Sequence, residues 1–123
     1  MSYQAPIAYA RREMPARSPR SVEYDLLAQI TRRLRSAWTS RAEDFPGLVR
    51  ALADNQQLWS TLASDVALPG NTLPAVLRAR LFYLYEFTVQ HSRAVLENRA
   101  SVEVLADINT AVMRGLRGEG GAT

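Results

Sequence analysis

Asp54-Asn55-Gln56-Gln57-Leu58-Trp59-Ser60-Thr61-Leu62-Ala63-Ser64-Asp65 combines an amphipathic helical pattern with polar residues that a plain helical core does not need. Leu48, Leu52, Trp59, Leu62 and Val66 recur at three- and four-residue steps, so they share one helical face. Asn55 falls inside that stripe, and an amide on an apolar face needs a partner, placed here on the backbone or on a neighbouring helix. Asn109 invites the same assignment. Trp59, a large aromatic at a stripe position, is expected in the core, and so is Trp38. Asp65 lies near the helix C-terminus, where the macrodipole disfavours negative charge. Arg78 stands across the following turn, so an Asp65–Arg78 ion pair is expected to fix the turn.

Working outward, the same logic yields an all-α chain. Residues 1–17 read as an extended N-terminal arm, broken by Pro6 and Pro15, with no helical or alternating period. Ser18-Pro19 is a helix start, Ser as N-cap and Pro in the first turn, with Glu23 and Asp25 near the positive end. Leu26, Leu27, Ile30, Leu34 and Trp38 make the stripe of a first helix over 18–40, and Arg32, Arg33 and Arg35 its solvated side. Asp44 before Phe45-Pro46 repeats the start signal for a second helix over 45–66. Leu68-Pro69-Gly70-Asn71-Thr72 ends it, with Gly and Asn able to take positive φ. Pro74 opens a third helix over 74–98. Ser101 caps a fourth over 101–117, striped by Leu105, Ile108, Val112 and Leu116, with Gly118 as a stop and a disordered tail over 118–123. The expectation is one small bundle of about four helices occupying 18–117. Gly115, inside the fourth helix, points to close helix packing, because glycine costs a helix about 1 kcal/mol relative to alanine.

The third helix has apolar residues on two sides. Leu77, Leu81, Leu84, Tyr85, Thr88, Val95 and Leu96 form a conventional core stripe, while Val76, Ala79, Tyr83, Phe87 and Ala94 form a second line nearly opposite. Such a helix is either central in its bundle or offers one side to a partner.

Composition narrows the chemistry. A chain of 123 residues without cysteine makes one domain and excludes disulfides, thiol nucleophiles and thiolate metal sites. No apolar run is long enough for a membrane span or a secretory signal, so a cytoplasmic protein is the default. All fifteen basic residues are Arg, and the net charge of +3 resides in the N-terminal part: residues 1–50 hold nine Arg against five acids, residues 51–123 six against seven. That excess favours acidic partners or RNA. Arg11, Arg12, Arg17 and Arg20 nevertheless lack the interleaved aromatics of a stacking platform, which counts against direct RNA binding. His91 is the only histidine and has no carboxylate pair at metal-ligand spacing, so no metal or cofactor is expected. Asp54 and Asp65 stand roughly 16 Å apart along a helix, too far for a catalytic carboxylate pair. No glycine-rich phosphate loop is present, and the expectation is a binding module rather than an enzyme.

Several weak motifs recur in a suggestive order. Asn55, Leu58-Trp59, Leu62 and Asp65 precede Leu73-Pro74-x-x-Leu77-Arg78-Ala79, and these precede Leu105-x-Asp107-Ile108-Asn109-x-x-Val112-x-x-Gly115-Leu116. With Tyr9-Ala10 and Ser18-Pro19-Arg20-x-x-Glu23 ahead of them, the series resembles the bacterial flagellar biosynthesis regulator FlaF family over nearly the whole chain. Ser40 to Gly47 does not follow the pattern. The resemblance implies a role in flagellum biogenesis, promoting or regulating flagellin production and export, with flagellin and an FlbT-like regulator as partners. Flagellin termini are amphipathic helices that pair only in the filament, so before export a chaperone or adaptor has an apolar stripe to cover. The expected contacts are Tyr83 and Phe87, with Val76, Ala79 and Tyr9. The alternatives are a regulator acting directly on flagellin mRNA and a helical subunit of the export machinery.

Overall fold

A computed structural model describes the backbone of residues 19–122 and the side chains of residues 24–115. The Ser18 cap and the extended arm fall outside these residues. Four helices follow one another: α1 Pro19–Thr39, α2 Phe45–Ala67, α3 Ala75–Leu96 and α4 Glu103–Ala122, and the described residues contain no strand. α4 runs past Gly118, where the sequence predicts its end. Glycine weakens a helix without forbidding it, and no proline follows Pro74 to force a stop.

Each boundary has a local cause. At the end of α1, Arg41 donates to the Trp38 carbonyl at 2.7 Å and lays its guanidinium 3.7 Å from the centre of the Trp38 ring. Trp38 is therefore half-buried at the margin of the core rather than inside it. Asp44 caps α2 by accepting from the Gly47 amide at 2.9 Å. A Cβ at position 47 would collide with that carboxylate, which is the reason for glycine there.

The connection from α2 to α3 is held by Asn71. Its amide donates to the Asp65 carbonyl at 3.1 Å, and its Oδ1 accepts from the Leu73 amide at 3.0 Å. Positive φ is not used at Gly70 or Asn71; among the described non-glycine residues only Asn98 adopts it, at 61°. Asn98 ends α3 in a Schellman arrangement: its own N–H bonds the Val95 carbonyl at 3.0 Å and the Arg99 N–H bonds the Ala94 carbonyl at 2.8 Å. The Ser101 hydroxyl then accepts from the Glu103 amide at 3.2 Å and opens α4.

The helices pack in the order α4, α1, α2, α3. α1 lies against both α4 and α2, α2 also carries α3, and α3 approaches α4 only slightly. The main hydrophobic cluster is made of Leu34, Leu48, Ala51, Leu52, Val95, Val102 and Leu105, with Ala37, Trp38 and Ala100 packed against it. These residues come from the end of α1, the start of α2, the end of α3 and the start of α4, so the cluster occupies one end of the bundle. Leu27, Ile30, Trp59, Ala63 and Val66 extend the buried interior along α1 and α2. Fully burying a leucine-sized side chain is worth about 1.5–3 kcal/mol, and among the described residues Val95 is the only buried apolar side chain that α3 supplies. Leu26 is 42% exposed and Leu62 half-buried, because the stripe of each helix turns slightly from the ideal spacing and Ala63 takes the inner position.

Exposed ion pairs tie α1 to its neighbours: Arg33 to Asp54 at 3.7 Å, and Arg35 to Glu103 at 3.3 Å and Asp107 at 4.0 Å. Such pairs contribute about 0–1 kcal/mol each. Among the described residues none links α3 to another helix.

Candidate functional site

The second and fourth helices are joined through their interior by a chain of polar side chains. Asn55 and Trp59 are one turn apart on α2 and point to the same side, and Asn109 of α4 fits between them. Trp59 Nε1–H donates to Asn109 Oδ1 at 2.9 Å, and Asn109 Nδ2 donates to Asn55 Oδ1 at 2.8 Å. All three residues are fully buried. α2 and α4 have no close main-chain approach, so this side-chain bridge spans a diagonal of the bundle and fixes their register.

Asp65 and Arg78 are not brought together. Neither takes part in an ion pair among the described residues; Arg78 Nε donates instead to the Leu73 carbonyl at 2.9 Å. Helical side chains lean toward the N-terminus of their own helix. Arg78 therefore reaches back over the start of α3, while Asp65 leans away from the turn. Gly115 is also not a packing site, since a Cβ there would meet nothing within 4 Å.

The bridge belongs to the framework, and five of the ten exposed large apolar side chains among the described residues lie on α3. This helix is at the edge of the bundle, packed chiefly on α2, rather than at its centre. From Ala75 to Phe87 it has no buried side chain; Thr88, Ser92 and Val95 are its only buried residues. Val76 is 70% exposed and Tyr83 63%, and Ala79 beside them is exposed too. Phe87 is half-buried and stacks on His91, with ring centroids 5.4 Å apart and planes 21° from parallel. His91 Nε2 is in turn 2.9 Å from the Ser101 carbonyl, which anchors this part of α3 to the start of α4. Tyr9 lies outside the described residues.

The stripe expected to be core is only partly so. Thr88 and Val95 are buried, but Leu77 and Leu96 are 38% and 39% exposed, because α3 has a single long neighbour to bury against. Phe82, 42% exposed with its ring 5.9 Å from that of Tyr85, adds an aromatic that belongs to neither expected line. The signal for it was present, since Leu81-Phe82-Tyr83-Leu84-Tyr85 is apolar around the full turn.

The interface of α3 with α2 is itself polar in part. Thr88 Oγ1 and Ser92 Oγ of α3, like Asn55 Nδ2 of the bridge, are buried without a hydrogen-bond partner among the described residues. A buried unpaired donor or acceptor costs about 1–3 kcal/mol, so α3 is held less firmly than its neighbours. No described helix is long and apolar enough to cross a membrane.

A small all-α bundle with one edge helix rich in exposed apolar residues defines the class of helical bundles that keep an unsatisfied helix face. Within that class the chain belongs to the FlaF family: the profile described as Flagellar protein FlaF matches residues 5–116. The protein is thus a flagellar one. No curated protein and no solved structure shows significant similarity to the chain.

Proposed function

We propose that the protein is a non-enzymatic, cytoplasmic flagellin-binding chaperone or adaptor, which promotes flagellin export and couples it to flagellin synthesis through an FlbT-like regulator. One observation supports this reading above the rest. The N-terminal half of α3 presents Val76, Ala79 and Tyr83 along one side without burying any side chain, and an exposed apolar surface of this kind marks an interaction site. An amphipathic helix laid along it would bury its own stripe, as helix-in-groove recognition does. Tyr83 and Phe87 act as aromatic anchors, with Val76 and Ala79 as the flat surface beside them.

Purified protein is expected to co-elute with flagellin in size-exclusion chromatography. Tyr83→Asp should weaken that association at least tenfold while leaving the circular-dichroism melt unchanged, because Tyr83 is mostly exposed. Tyr83→Asp together with Phe87→Asp should abolish it. Undiminished flagellin binding by a folded Tyr83→Asp protein would remove this face from the mechanism.

A further inference from the structure

The opposite flank of α3 forms a second surface. Val49, Leu52, Ala53, Gln56, Gln57 and Ser60 of α2 face Tyr85, Val89, Ser92, Arg93 and Leu96 of α3 across an open cleft of about 500 Å³. At 100° per residue, Tyr85, Val89, Arg93 and Leu96 lie on one side of α3, and Val76, Tyr83, Phe87 and Ala94 on the other. The cleft is therefore separate from the surface assigned to flagellin, and its occupant does not depend on that assignment.

Three properties of the cleft specify what fits it. Its length, from Val49 to Ser60, is roughly 16 Å at 1.5 Å per residue, the span of about three turns of helix. Its apolar lining is incompletely buried, with Val49 and Leu96 each 39% exposed, and small Ala53 and Ser60 leave room for a close approach. Its charge is one-sided: Arg93 is the sole charged residue in the lining and has no ion-pair partner among the described residues.

We infer that this cleft docks a short amphipathic helix from a second partner, one that presents an apolar stripe to Val49, Val89 and Leu96 and a carboxylate to Arg93. Apolar contacts supply the affinity of such a groove, and the charged contact at its edge supplies selectivity and orientation. The chain's own N-terminal segment is a poor occupant on charge grounds, since residues 1–18 carry three Arg and one Glu. The protein then engages two helices, one on each flank of α3.

The test is an unbiased selection on the full chain. A phage-displayed library of helix-forming 12-residue peptides is panned on the protein, with an Ala53→Arg variant, blocked at an exposed cleft position, as counter-selection. Recovered peptides are expected to share an apolar stripe at i, i+4 and i+7 with Asp or Glu at one end. They should bind Arg93→Glu at least tenfold more weakly and recover when the peptide acid is exchanged for Arg. Tyr83→Asp should leave their binding unchanged, so that loss of flagellin recognition and loss of peptide recognition are separable results. Thermal melts of the variants, both changed at exposed positions, confirm folding. Peptides that ignore Arg93→Glu or bind Ala53→Arg equally well would overturn the assignment, as would a failure to enrich any peptide. Concentration-dependent self-association abolished by Ala53→Arg would overturn it too, by making a second copy of the chain the occupant.

Discussion

Asn109 accepts a hydrogen bond from the Trp59 indole and donates one to Asn55, so its removal orphans two buried groups at once. Each orphaned group costs about 1–3 kcal/mol, and Asn109→Ala is expected to destabilise the protein by about 3 kcal/mol, read as a lower urea midpoint with an unchanged slope. A double-mutant cycle with Asn55→Ala should show coupling above about 1 kcal/mol; additive losses would mean that the two amides act independently. That Asn55 needed a partner was legible from its place in an apolar stripe. Which partner it took was not, because the two residues stand 54 positions apart and nothing local encodes a contact across the bundle. Asp65 and Arg78 teach the converse. They are close in sequence and opposite in charge, yet the lean of helical side chains toward the N-terminus sends Arg78 to the Leu73 carbonyl instead.

Helices were legible wherever caps and stripes agreed. Asp44 ahead of Pro46 starts α2 and Ser101 starts α4 because a short oxygen-bearing side chain reaches the free amides of a first turn. The ends were less legible: Asn98 closes α3 through a positive φ that composition alone does not announce. In α3 the pattern disclosed two apolar sides but not the number of neighbours, since periodicity reports which residues share a face and says nothing about what covers it. In α4, Gly115 reflects no close approach, and filling it should help. Gly115→Ala is expected to stabilise the protein by about 1 kcal/mol, the helix-propensity difference. A matched pair of thermal melts checks this, and an unchanged or lowered midpoint would show that the glycine serves some contact beyond the helix itself.

Across the whole molecule, stability is unevenly placed. The main cluster occupies the end where α1 and α2 join and where α3 gives way to α4, and the ion pairs that tie helices together all involve α1. α3 gives that cluster only Val95 and has no such ion pair among the described residues, and its buried side contains unpaired polar atoms. Sub-global opening should therefore begin in α3. Native-state hydrogen exchange is expected to find the interior amides of Ala75–Phe87 protected at least tenfold less than those of Leu52–Ala63 in α2. Equal protection in the two segments would mean that the bundle opens only as a unit. The number of helices and their order were readable in advance, whereas this asymmetry arises from which helix has two long neighbours and which has one, a property of the assembled molecule.

An edge helix fastened on one side makes occupancy and folding a single equilibrium. Any molecule that covers α3 adds its own binding free energy to the stability of the chain, about 2.7 kcal/mol at a free concentration one hundred times its dissociation constant. Copies left without such a molecule spend more time with α3 open, and cellular proteases act on that open form. A molecule seated on α3 would thereby lengthen the lifetime of the protein as well as its stability.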